Sequence, residues 1–194
     1  MNYELLNTKV EQYLNKIKSE DSFNDINERK EREDLYSKYN KEKIINMDLD
    51  EFYEYVGKLW AMIIWGNKHY IIDKFINDNG FDNLKKQIAY LLYGEDNIEV
   101  RWDKFKDNIK GFGPAMMSEL LCYIYPNEYM IWNNTAVNAY KNLEIEGIPT
   151  HNYQLTGKNI LRWFLMQKRF KSLLKKSIIW IITYYLLIIS FGMF

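Results

Sequence analysis

Apolar positions recur at helical spacing along most of the chain, and no stretch alternates apolar and polar residues as a half-buried strand would. Leu5, Leu6, Val10, Tyr13, Leu14 and Ile17 place an amphipathic helix at the start. Residues 21–46 are dense in charge and carry few large apolar side chains apart from Leu35, Tyr36, Tyr39 and Ile44, which predicts a solvated helix or linker. Asp48 or Asp50 can cap a helix that runs through Phe52, Tyr55, Val56, Leu59, Trp60, Ile63 and Ile64 to a stop near Gly66. Its wide apolar face predicts a central core position. Two further helices, Tyr70 to Asn79 and Phe81 to Tyr93, are separated by Asn79-Gly80, and Gly94 closes the second. Trp102, Phe105 and Ile109 predict another helix, and Met116, Met117, Leu120, Leu121 and Ile124 the one after it. Asn133 and Asn134 suit the cap of a last short helix, Thr135 to Leu143. The expected fold class is all-α.

Between two of these helices lies the bend Lys110-Gly111-Phe112-Gly113, followed by Pro114. Proline suits a first helical position because its missing N–H would have no partner there. The two glycines let the main chain approach an outside group closely. The amides of Gly111, Gly113 and Ala115 are therefore expected to form a nest for an anion, with Lys110 beside it and Ser118 as a hydroxyl donor. Charge around the bend favours this, since Arg101, Lys104, Lys106 and Lys110 face only Asp103 and Asp107.

This segment, from Trp102 to Asn134, resembles the helix-hairpin-helix of the DNA glycosylase superfamily in its Gly-x-Gly, its following helix and its spacing. The resemblance implies that the hairpin amides hold a DNA phosphate, with a monovalent cation bound at the hairpin in many relatives. It also implies a catalytic aspartate at the position of Asn133 and, where the family uses one, a nucleophilic lysine at the position of Ala115. Asn133 cannot act as acid, base or carboxylate partner, and Ala115 cannot form a Schiff base. The binding half is thus retained and the bond-breaking half is not, so no catalytic residue, cofactor or further metal is expected. Asn133 could still read a base edge through its amide. Trp60, Trp65, Trp102 and Trp132 could each stack on an extruded base, Trp132 foremost because it adjoins Asn133.

Composition narrows the setting. With 47% apolar and 16% aromatic residues among 194, the chain can build a sizeable core. A single cysteine, Cys122, excludes a disulfide framework and fits a reducing cytoplasm. His69 and His151 have no ligand partners at zinc spacing. The net charge is zero, but all 26 acidic residues precede Lys158 while seven of the 26 basic ones lie from Lys158 onward. Residues 1–157 thus set nineteen bases against 26 acids, a balance of −7. Such a body cannot attract DNA generally, because non-specific affinity comes from neutralised phosphates. Any contact must be local.

The tail has two readings. Ser177 to Phe194 is almost unbroken apolar sequence behind lysines, and roughly 18 residues can just cross a bilayer with the positive flank on the cytoplasmic side. A change of reading frame explains the same loss of acidic residues. Shifting each codon to the third base of one and the first two of the next turns Met166-Gln167 into Ala, Trp180-Ile181 into Asp, Tyr184-Tyr185 into Leu and Met193-Phe194 into Val. That restored ending, the segment GFGPAMMSELLCYIYPNEYMIWNN and the step Leu155-Thr156-Gly157-Lys158 together resemble the recognition regions ahead of the AAA+ GTPase in McrB-type modification-dependent restriction proteins. The resemblance spans 48–158 and implies DNA binding, through a flipped modified base in such systems, with cleavage left to a separate nuclease. The chain carries no Walker A loop of its own.

The expected organisation is 1–47 as N-terminal helices and charged linker, 48–158 as a DNA-recognition domain built on a helix-hairpin-helix, and 159–194 as a basic then apolar tail. The expected function is non-catalytic DNA recognition in a restriction or phage-defence system, with a nuclease subunit or an AAA+ GTPase module as partner and a cytoplasmic location. Two competitors stand beside it. One is a divergent glycosylase using Glu119 or Glu128 as its carboxylate. The other is a membrane protein anchored through 177–194.

Overall fold

A computed structural model describes residues 2–16 and 20–174. The described residues are all-α, with no strand: α1 (Tyr3–Lys16), α2 (Glu20–Ser37), α3 (Lys41–Asn46), α4 (Leu49–Gly57), a 3-10 turn at Trp60–Met62, α5 (Lys68–Asn79), α6 (Phe81–Tyr93), α7 (Ile98–Asn108), α8 (Pro114–Ile124), α9 (Asn134–Asn142), a 3-10 turn at Asn152–Gln154 and α10 (Gly157–Leu174). No helix among the described residues is long and apolar enough to cross a membrane. The apolar tail Ser177 to Phe194, with both of its readings, lies outside the described residues.

Local chemistry accounts for most helix starts. Asp48 accepts from the Glu51 amide while the Glu51 side chain accepts from the Asp48 amide, which satisfies two otherwise unpaired donors of α4. Asn40, Asn67 and Asn133 cap α3, α5 and α9 in the same sense, each through its side-chain oxygen. Pro114 occupies the first turn of α8.

One hydrophobic core runs from Tyr36 to Phe164. It crosses both places where composition divides the chain, near 47 and near 158. The charged stretch expected to be solvated in fact sends Tyr36, Tyr39 and Ile44 inward, and the Tyr36 hydroxyl donates to the Tyr55 carbonyl at 2.7 Å. Among the described residues, Tyr36 of α2, Ile44 of α3 and Tyr39 between them enter the core while Leu35 and Ile45 pack against it, a spacing that average composition conceals. At the other end, Ile160, Trp163 and Phe164 of α10 are buried against α7, α9 and Tyr129.

The helix expected to run from Asp48 to Gly66 is interrupted. α4 stops at Gly57, Leu59 is extended, and a 3-10 turn follows. The cause is Glu119 of α8, whose two carboxylate oxygens accept the main-chain N–H groups of Trp60 and Ala61. Amides taken by a side chain cannot also bond four residues back. Ile63, Ile64 and Trp65 consequently lie at the surface, with Ile64 the most open of the three at 78% exposed.

Candidate functional site

The bend between α7 and α8 is built on aromatic rings. Phe112 is buried between Phe75 of α5 and Phe105 of α7, with centroids at 5.8 and 5.5 Å. Gly111 sits over Phe75 with φ at +82°, and a Cβ there would lie 3.1 Å from two of its ring carbons. The backbone angle demands glycine, and a side chain there would press on the Phe75 ring. Gly113 is different, because its φ of −81° is ordinary and a Cβ would meet nothing within 4 Å.

Asn79 clamps the bend from outside. Its Oδ1 accepts the Lys110 amide at 2.7 Å, and its Nδ2 donates to the Lys110 carbonyl at 3.0 Å. The side chain thus pairs with Lys110 as a neighbouring strand would. The sequence pattern marks Asn79 only as a helix end. No local signal ties it to a residue 31 positions on.

Among the described residues, the main-chain N–H groups of Gly111, Gly113 and Ala115 have no internal acceptor; the first amide bonded back from α8 is that of Met117, to Gly113. Gly111 and Lys110 are exposed, and Gly113 and Ala115 half-buried. The first turn of a helix carries free donors and the positive end of its dipole, so this bend can receive an anion.

The surrounding charge is smaller than residue types suggest. Arg101 is buried and donates to the carbonyls of Leu91 and Leu92 at 2.6 and 3.1 Å. Lys104 pairs with Asp96 at 3.2 Å, and Lys106 donates to the Leu155 carbonyl at 2.6 Å. Lys110 alone of the four has no internal partner among the described residues. Among the described residues, no group of three or more His, Cys, Asp or Glu side chains is placed to hold a metal ion.

Ser118, expected as a hydroxyl donor to the anion, is fully buried. Its Oγ accepts the Trp132 amide at 2.8 Å and donates towards the Ala115 carbonyl at 3.1 Å. It therefore ties the segment before α9 to α8. Ser118→Ala should lower stability by about 1–2 kcal/mol, because the buried Trp132 N–H loses its acceptor. Urea denaturation would measure this, and an unchanged midpoint would refute it.

Trp132 is 3% exposed and donates from Nε1 to the Pro149 carbonyl at 3.0 Å, so it cannot face a nucleotide as expected. Asn133 spends its Oδ1 on the Ala136 amide at 2.8 Å as the cap of α9. Trp102 is a core residue, and Trp60 lies beneath the Arg32 guanidinium, 4.4 Å from the ring centre. Of these four tryptophans, Trp65 is the one that lies open to solvent, at 45% exposed. Cys122 is a buried thiol and His69 stacks on Tyr53 at 4.9 Å.

Glu119 is 1% exposed, and burial raises its carboxyl to about 7 against the lowering by the Ala61 and Trp60 amides. It could serve as an acid by its protonation state, but both oxygens are held by main chain inside the core. Glu128 is exposed. Comparison of the chain with family models, curated proteins and solved structures gives no match.

Proposed function

We propose that this protein is a non-catalytic DNA-recognition domain of a restriction or phage-defence system. In this reading its helix-hairpin-helix, α7 to α8, takes a backbone phosphate on the amides of Gly111, Gly113 and Ala115. The observation that carries the reading is the pairing pattern at the bend. The Lys110 amide is taken by Asn79, whereas the next glycine amides and the Ala115 amide are left without an acceptor beside an exposed ammonium. Unpaired main-chain donors lose free energy wherever water is excluded unless a ligand supplies acceptors. A phosphate supplies several at once.

The grip is local by charge. The acidic body repels a polyanion, so affinity has to come from the amides and from Lys110. Cleavage belongs to a separate nuclease, with an AAA+ GTPase module as the other expected partner, since Asn133 and Ala115 replace the reacting side chains of the glycosylase-like pattern. The glycosylase alternative loses support because Glu119 is sealed in the core.

Gly113→Val is the sharpest test, because position 113 has open space and an ordinary φ, so a branched side chain crowds the anion without straining the fold. Its duplex affinity should fall about tenfold, with helicity and melting temperature nearly unchanged. Lys110→Glu should reduce the slope of log affinity against log salt by about one. Anisotropy titrations at several salt concentrations read both. Unaltered affinity in both variants overturns the proposal.

A further inference from the structure

An open cleft of about 410 Å³ lies against Pro149, the residue whose carbonyl Trp132 holds. Ile148, Pro149, Tyr153, Gln154, Asn159 and Arg162 line it. Its size falls within the roughly 300–1,000 Å³ of small-molecule sites. We propose that this cleft binds a nucleobase, stacked on Tyr153 and met at its edge by Gln154 and Asn159, with Arg162 on the attached phosphate. The proposal rests on the DNA-binding reading and names a second contact of the same nucleic acid.

The loop that makes the cleft is rigidly held. At one end the Trp132 indole donates to the Pro149 carbonyl at 3.0 Å, and at the other the Trp102 indole donates to the Leu155 carbonyl, also at 3.0 Å. Lys106 adds a bond to the same Leu155 oxygen, and Asp103 accepts the Gly157 amide at 2.6 Å. Gln154 closes the loop across its middle, its Oε1 accepting the Thr150 and His151 amides at 2.7 and 3.0 Å. A loop pinned at so many points loses little entropy on binding. On it stands Tyr153, 78% exposed, with the His151 ring parallel to it at 8° and 5.5 Å. A large aromatic side chain turned outward on a preordered loop serves a ligand better than a core.

The free polar atoms suit a base edge. The bonds just described fix which end of each amide is which. Gln154 commits its oxygen and keeps its NH₂; Asn159 donates its NH₂ to the Gln154 carbonyl at 2.7 Å and keeps its oxygen. One donor group and one acceptor thus remain on two residues that line the cleft, the pairing that bases present in return. Arg162 is exposed and meets no carboxylate among the described residues. The cleft and the bend hang on the same two helices, because Lys106 and Trp102 of α7 hold Leu155, and Ser118 of α8 holds Trp132.

The test uses the full chain with three probes: a single-stranded oligonucleotide, a duplex carrying 2-aminopurine opposite a mismatch, and free deoxynucleoside monophosphates. Tyr153→Ala should weaken binding of a base-presenting probe about five- to a hundredfold, the range of one lost stacking contact, while Tyr153→Trp retains it. Arg162→Gln should lower the salt slope of oligonucleotide binding by about one. An effect confined to the monophosphates supports the site and names a free nucleotide as its source. An effect on the duplex with raised 2-aminopurine emission supports it and names an extruded base. If Tyr153→Ala leaves all three probes unchanged while Gly113→Val weakens duplex binding, the cleft proposal falls and the hairpin reading stands. If Tyr153→Ala acts and Gly113→Val does not, the cleft stands without the hairpin.

Discussion

Taking the protein from about pH 5 to about pH 8 should reduce its folding free energy by roughly 2–3 kcal/mol, and Glu119→Gln should flatten that dependence. Glu119 is enclosed by α8, α2 and the Trp60–Met62 turn, with Tyr36, Tyr123 and Arg32 as the groups that face it. Burial raises its carboxyl from 4.5 to about 7. A folded-state value above the unfolded one means that the folded chain holds the proton more tightly. The stabilisation is therefore complete below the unfolded value and is lost as the pH climbs from about 4.5 through about 7. Glutamine has nothing to ionise in this window. Urea denaturation of both proteins across the range is the measurement, and parallel profiles would show that Glu119 does not titrate between them.

The second large effect is expected at Gly157. A Cβ there would lie 2.1 Å from the Glu99 carbonyl oxygen and 2.6 Å from its carbonyl carbon, which are main-chain atoms that cannot swing aside. Gly157→Ala must move α10 away from α7. That separates Trp102 from Phe164, now 6.5 Å apart edge to face, and disturbs the Asp103 bond to the Gly157 amide. Overpacking of well-fitted interiors costs about 1–3 kcal/mol, and a backbone collision belongs at or above the top of that range. A melting temperature within a degree or two of the parent protein would mean that α7 and α10 separate freely. The same shift would disturb the cleft that Tyr153 lines, so in this variant oligonucleotide binding and stability should fall together, whereas Tyr153→Ala should lower binding alone.

Helix positions were readable because they depend on neighbours in sequence. The caps at Asp48 and Asn133, the break at Asn79-Gly80, the first-turn proline and the apolar spacing of α6 to α9 are all written within a few residues of where they act. The interruption after Gly57 was not readable, because its cause, Glu119, stands 59 residues from the amide it takes. Residues 21–46 misled for a related reason. Charge density describes their exposed positions, and only packing shows that Tyr36, Tyr39 and Ile44 turn into the core.

The candidate site divides in the same way. Gly111, Gly113 and Pro114 announce a bend, since backbone conformation and missing N–H groups are properties of residue type. Residue type could not reveal that Arg101, Lys104 and Lys106 are spent on internal partners, that Ser118 serves Trp132, or that Trp132 is sealed behind Pro149. The Tyr153 cleft was equally hidden, because its parts come from a loop, a helix start and indoles distant in the chain.

What the sequence determined alone is therefore the helical architecture and the place of a glycine bend, both consequences of local spacing and of which residues lack a Cβ or an N–H. What only the tertiary structure decided is which polar groups remain available. Availability depends on partners that arrive from elsewhere in the fold, and a buried side chain is spent once such a partner has taken its hydrogen bonds.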